Sequence, residues 1–240
     1  AGLKLEQLIL EPLASAEAVL TEDEKEAGVA LVDIGGGTTD VAVYYDDIIR
    51  HTAVIPFGGD VVTKDIKEGC SILQRQAELL KVQYGSALGD LAKDAEVVSI
   101  PGISGREPKE ISFKSLAYII QSRMEEILDA VIYEIENSGY FDRLSAGIVL
   151  TGGGALLKHL PALVKFKTGM DVRIGYPTEY LSSETSDEIN HPMYSTAVGL
   201  VLKGFEHIDK FEKKIKLEEP KDKMIEEPES ETEPEVEKKE

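Results

Sequence analysis

The sequence predicts an α/β fold, and three observations carry that prediction. Apolar residues alternate between a period of two and a period near 3.6 over the first 202 residues. Two short, nearly continuous apolar runs, Val29–Ile34 and 148–150, read as buried strands, and each ends in a run of glycines. Stretches of the two periods interleave along the chain instead of segregating, which is the α/β pattern.

Taken in order, Val29–Ile34 is a strand closed by a glycine turn. Residues 40–45 and Ile48–Ile55 follow as further strands around an Asp46-Asp47 turn, so the three form a meander. Gly58-Gly59 opens a helical stretch with Ile66 near its end and Gly69 expected at the position just past the helix. Leu73, Ala77, Leu80 and Tyr84 keep helical spacing up to Gly85. Residues 96–111 read as a hairpin broken by Pro101-Gly102. Ser112 is the expected N-cap of a long helix carrying Leu116, Ile120, Met124, Ile127, Val131 and Ile135 on one face and stopped by Gly139. The run 147–150 is a short buried strand, 171–174 another, and 195–202 a last helix.

Composition sets limits on function. The 240 residues, 42% apolar and 30% charged, suffice to bury a core. A net charge of −19 repels phosphate backbones and excludes general nucleic-acid binding. It does not exclude one nucleotide held by backbone amides and a metal. Cys70, the single cysteine, rules out an internal disulfide, and the four histidines show no metal spacing. No apolar run approaches the roughly 20 residues of a membrane span. Residues 218–240 hold eleven acids, four bases and three prolines with almost nothing apolar, which predicts a disordered acidic tail.

Two glycine turns carry the chemistry: Asp33-Ile-Gly-Gly-Gly-Thr-Thr-Asp40 and Thr151-Gly-Gly-Gly154. Glycines after a strand let amides approach a phosphate with no Cβ in the way. Asp33, at the end of a buried strand, suits the water shell of a phosphate-bridging Mg²⁺. Thr38 and Thr39 add hydroxyls. A dinucleotide fingerprint fails on spacing, because its third glycine falls on Asp40 or Leu157, and no Gly-Lys-Ser/Thr phosphate loop is present.

DIGGGTTD with its meander, then IPFGGD, QAELLKVQYGSA, IVLTGGGALL and HPMYSTAVGL, resemble the C-terminal half of an actin-like ATPase with the ribonuclease H-like fold. EPLASAEAVLTEDEKEAGVALVDIGGGTTD and VVSIPGISGREPKEIS are similar to the FtsA family of bacterial cell-division proteins. The resemblance covers about Gly2 to Leu202. It implies one lobe with two subdomains: residues 25–66 and 145–217 as the core subdomain, 67–144 as an inserted upper subdomain, and 1–24 as a lead-in from a first lobe. It also implies roles. Asp33 would face Mg²⁺ through water. Gly35, Gly36, Gly37, Thr38 and Thr39 would hold the phosphates of ATP. Gly152, Gly153 and Gly154, with Glu78 and Lys81, would meet the adenosine.

By the same resemblance, the inserted subdomain would dock the C-terminal peptide of FtsZ, the tubulin-like ring protein, and Arg123 and Arg143 are the candidate basic residues. The expected function is an adaptor linking FtsZ polymers to the cytoplasmic face of the membrane at the division site, with ATP-dependent self-association. Other division proteins would bind through the first lobe, which the sequence lacks along with its phosphate motif. The membrane would be reached through an element outside this sequence, and the chain reads as a fragment not expected to hydrolyse ATP alone. Two rival readings stand beside this one: a sugar-kinase-type phosphotransferase sharing both glycine motifs, and a docking lobe that holds no nucleotide.

Overall fold

The computed structural model describes residue 2 and residues 4–93, 96–102, 107–177 and 189–218, without the side chains of 211–218. The expected acidic tail, apart from Glu218, lies outside the described residues. The chain divides into two compact units, 1–204 and 205–240.

In the first unit a five-stranded sheet places its strands in the order Ile48–Ile55, Thr39–Tyr45, Val29–Ile34, Ile148–Thr151 and Val172–Ile174. β1 (Val29–Ile34), β2 (Thr39–Tyr45) and β3 (Ile48–Ile55) form the predicted antiparallel meander. The β2–β3 turn places Asp46 and Asp47 in the left-handed region, which short polar side chains tolerate. β6 (Ile148–Thr151) lies parallel to β1, and β7 (Val172–Ile174) parallel to β6.

β1 is buried on both faces, which is why its sequence is continuous rather than alternating. Ala30, Val32 and Ile34 face one layer of helices: α3 (Gly59–Cys70), α4 (Gln74–Tyr84), α5 (Phe113–Asn137) and α6 (Leu160–Thr168). Val29 and Leu31 face the other side, where α1 (Glu11–Val19) packs through Ala16, Ala18 and Val19. All six predicted apolar positions of α5 are buried. Each such side chain contributes about 1.5–3 kcal/mol of burial. β4 (Val97–Ile100) and β5 (Lys109–Ser112) make the expected hairpin.

Several expectations are corrected. Gly69 does not follow α3 but lies inside it; Ser71 takes the left-handed terminal position instead. A Cβ on Gly69 would meet the tip of the Ile119 side chain of α5 at 2.8 Å. Ser112 occupies the N-cap of α5 without a side-chain hydrogen bond. The last helix, α7 (Ser195–Glu218), is far longer than 195–202 and runs through the division between the two units. The expected lead-in, 1–24, contains α1 and the start of α2 (Glu22–Ala27), where no helix is expected from the sequence. Thr21 and Glu24 close a capping box on α2, and Glu24 holds Arg173 of β7 through both carboxylate oxygens. Among the described residues no helix is long and apolar enough to cross a membrane.

Candidate nucleotide site

Asp33 pairs across β1–β2 with Asp40 and across β1–β6 with Thr151. The two glycine turns therefore leave neighbouring parallel strands at the same carboxyl end, where open α/β sheets bind ligands. Between them lies a cavity of about 420 Å³ lined by Gly35, Gly36, Gly153 and Gly154. Glu78 and Lys81 of α4 line it too. Residues separated by more than a hundred positions thus share one wall, as the sequence motifs anticipate.

The first turn is fastened to the start of α3. The Gly59 amide donates to Gly35 O at 2.9 Å and the Asp60 amide to Gly36 O at 2.8 Å. A Cβ on Gly58 would come within 2.6 Å of Gly35 O and 2.7 Å of Gly36 O, so only glycine allows this approach. With its carbonyls engaged, the turn presents amides outward. Those of Gly36, Gly37 and Thr38 donate to no acceptor among the described residues, and Gly36 and Gly37 are exposed. Gly35 and Gly36 line the cavity, whereas Gly37 and Thr38 are not among its lining residues; successive open backbone amides are the kind of donor that suits an anion. The hydroxyls serve other purposes. Thr39 is fully buried and donates to Phe57 O at 2.8 Å, while Thr38 donates to Asp40 Oδ2 at 3.1 Å.

The second turn begins at Gly152, whose φ of 81° favours glycine and whose amide donates to Pro192 O. Thr151 bonds Ser195, tying the turn to the start of α7. Gly153 and Gly154 open a 3-10 turn, Gly153–Leu156, along the cavity wall. The remaining wall is partly apolar, from Val62, Val82, Met124, Leu157 and Met193. These residues, with Asp60, Lys158 and His191, went unassigned in the sequence, although IPFGGD and HPMYSTAVGL contain three of them.

Asp33 sits beside the cavity but does not line it. Its Oδ2 accepts from Ser15 at 2.6 Å and from Thr196 at 3.4 Å. Burial pushes its carboxyl above the ordinary value, and Asp40 adds to this, while the two hydroxyl bonds oppose it. Glu11 is raised by partial burial and by the charges of Asp40 and Asp33. Three carboxylates that repel one another, two of them directly opposite in the sheet, favour a nearby cation. Among the described residues no three His, Cys, Asp or Glu side chains converge closely enough to hold a metal by themselves. The donor set therefore suits an ion held largely by water and phosphate.

Lys81 Nζ donates to Gly59 O at 2.9 Å and Thr63 Oγ at 2.8 Å, and pairs with Glu78 Oε2 at 2.8 Å. Thr63 Oγ lies 2.5 Å from the same Glu78 oxygen, to which it donates. Burial alone would raise Glu78, but hydrogen bonds from Lys81 and Thr63 with the Lys81 charge hold it below its ordinary value.

The two candidate docking arginines are not brought together. Arg123 forks onto Asp65 of α3, at 2.5 and 3.2 Å, and reaches Glu126. Arg143, in the 3-10 turn Phe141–Arg143, lies over the rings of Tyr45 and Tyr140. Tyr45 is at the opposite end of β2 from the glycine turn.

The family model of cell division protein FtsA matches residues 30–199. The chain belongs to the FtsA family. Cell division protein FtsA of Pseudomonas aeruginosa is 45% identical over 205 residues, covering 85% of this chain and 49% of that protein. The Escherichia coli K12 protein is 44% identical over 212 residues, covering 85% and 50%. The Bacillus subtilis protein is 37% identical, covering 84% and 44%. The chain thus spans about half the length of these FtsA relatives. Among solved structures, MreB5 of Spiroplasma citri bound to ADP is similar with a TM-score of 0.69 at 23% identity, covering 88% of this chain and 63% of that one. The PilM-PilN type IV pilus biogenesis complex gives 0.56 at 20%, covering 82% and 52%. At such identities the likeness carries the fold alone, and the fold is that of the actin-like ATPases, as the motifs imply.

Proposed function

We propose that this chain supplies the nucleotide-holding and FtsZ-docking part of a cell-division adaptor. The adaptor links FtsZ polymers to the cytoplasmic face of the membrane at the septum and self-associates in an ATP-dependent way. The observation that carries the nucleotide half of this reading is the convergence of both glycine turns on one cavity. ATP would lay its phosphates on the open amides of Gly36, Gly37 and Thr38 and its adenosine along Gly152, Gly153 and Gly154. Glu78 keeps one carboxylate oxygen for a ribose hydroxyl. Asp33, with Asp40 beside it, would hold Mg²⁺ through water, and the ion would supply positive charge that offsets the phosphates. Binding to one arrangement of the protein stabilises that arrangement, so ATP acts as a conformational ligand.

The docking half rests on family membership and on Arg123, a cation on a long helix of the inserted subdomain. The acidic, partly apolar FtsZ tail would exchange its carboxylates for Asp65 and Glu126.

Calorimetric titration with Mg-ATP and with an FtsZ C-terminal peptide tests both halves, with Asp33→Asn as the control. Asparagine still accepts from Ser15 and removes a buried, repelled charge. The variant should therefore melt at or above the wild-type temperature while losing the Mg²⁺ dependence of ATP binding. Unchanged Mg²⁺ dependence would remove Asp33 from the metal site. Peptide binding without ATP binding would leave a docking lobe that holds no nucleotide.

A further inference from the structure

His191 belongs to the wall of the cavity between the two glycine turns. Among the described residues two buried side-chain polar atoms have no hydrogen-bond partner, and they are consecutive: Asn190 Oδ1 and His191 Nδ1. A native fold leaves few such atoms, because an idle buried donor or acceptor forfeits its bond to water and gains nothing in return. Of the two residues, His191 is the one that lines the cavity.

A loose segment does not account for the idle nitrogen. The His191 amide donates to Ile189 O at 2.8 Å, and the His191 carbonyl accepts from the Tyr194 amide at 2.9 Å. Pro192 O accepts from the Gly152 amide at 3.2 Å and from the Ser195 hydroxyl at 2.8 Å. The 3-10 turn Pro192–Tyr194 is thus fastened to the second glycine turn on one side and to the start of α7 on the other. The imidazole packs edge-on against Tyr194, with ring centroids 6.5 Å apart. With backbone and ring both held, Nδ1 has no easy way out to water.

The surroundings indicate the missing partner. His191 and Met193 flank Pro192 and both line the cavity, and Met193, Val82 and Leu156 are exposed apolar side chains of its wall. Such a wall suits the flat faces of a base, and a few placed polar groups then fix a ligand's orientation. A neutral imidazole nitrogen donates or accepts according to its tautomer, and the edge of adenine offers both an amino donor and ring-nitrogen acceptors. We propose that His191 Nδ1 hydrogen-bonds the edge of the bound base and is a specificity-determining residue of this site. The inference rests on the nucleotide reading above and adds to it a side-chain contact with the base.

Ribose 5-triphosphate, which lacks only the base, isolates this contact. Calorimetry with Mg-ATP and with magnesium ribose 5-triphosphate compares the full chain with His191→Phe, which keeps a ring against Tyr194 but carries no nitrogen. The variant should bind Mg-ATP about tenfold more weakly and the ribose triphosphate as the wild type does. His191→Asn, whose amide brings a polar atom close to the place of Nδ1, should hold Mg-ATP within about threefold of the wild type. Equal Mg-ATP affinity in His191→Phe and wild type overturns the inference and leaves the nucleotide reading standing. Equal losses for both ligands overturn it as well, since the base then plays no part. A wild-type chain that binds neither ligand removes the nucleotide reading and the inference with it. A second readout needs no variant, should His191→Phe not fold. The Nδ1 nitrogen resonance of His191 should shift when Mg-ATP binds and stay in place with the ribose triphosphate, and a resonance unmoved by bound Mg-ATP rejects the contact.

Discussion

Gly58, just before α3, and Gly153, in the cavity wall, are glycines with different duties. A methyl on Gly58 would press on three carbonyl oxygens of the first turn, at 2.6, 2.7 and 2.8 Å. Backbone cannot step aside as a flexible side chain can. Gly58→Ala should therefore cost about 1–3 kcal/mol of stability, the range for forced overpacking. A methyl on Gly153 meets nothing within 4 Å and enters the open cavity. Gly153→Ala should melt with the wild type, within about 0.5 kcal/mol, but bind Mg-ATP at least tenfold more weakly, because the new methyl occupies ligand space. Thermal melts and calorimetry on the two variants check this pair. Equal ATP affinity in Gly153→Ala and wild type would remove the second glycine turn from the site. The sequence alone could not rank these positions, since one glycine looks like another until its neighbours are known.

At the scale of elements, strands were legible because a strand buried on both faces must be apolar at nearly every position, and β1 and β6 are. α5 was legible because one apolar stripe faces the core. α1 was not, since Pro12 and the small residues around Ala14, Ser15 and Ala16 make no stripe; the helix is packed closely on one side by β1 and β2 and on another by Val198 of α7. α6 starts at a left-handed His159 followed by a proline at its second position, a start with no side-chain cap to announce it. The hydrogen bonds that join Lys81 of α4 to α3 were invisible for a further reason. They link residues 18 and 22 positions apart, and no local pattern encodes them.

The contact of Glu78 and Lys81 with Thr63 carries a pH signature. Glu78 has its carboxyl held below the ordinary value of 4.5 in the folded chain. A carboxylate depressed by folding contributes stability that is present above its unfolded value and fades as pH falls through its folded value. The fastening of α3 to α4 should therefore persist at neutral pH and loosen only below about pH 4.5. Exchange at the Gly59 and Asp60 amides, followed from pH 6 to pH 3.5 after correction for intrinsic rates, should accelerate in that window. Glu78→Gln, which cannot titrate, should show no such step. A step that persists in Glu78→Gln would place the titrating group elsewhere.

For the whole molecule the deciding quantity is charge. A chain at −19 repels both a second copy of itself and an acidic partner peptide. Against that stands a local attraction at Arg123, whose guanidinium already satisfies Asp65 and Glu126. Long-range repulsion is screened over a Debye length of about 10 Å at 0.1 M salt, whereas a guanidinium–carboxylate contact lies well inside that distance. The first therefore weakens with salt more than the second. Affinity for an acidic, partly apolar peptide should hold or rise between about 25 and 150 mM salt. Binding through a broad basic surface would instead fall steadily. Arg123→Ala should weaken the peptide by about 1–2 kcal/mol, roughly tenfold, while Arg143→Ala, at the far end of the sheet, should leave it unchanged. Titrations at several salt concentrations with both variants test this. A steady fall with salt, or equal losses from the two arginines, would move the docking surface away from α5 and leave Arg123 as the partner of Asp65 alone.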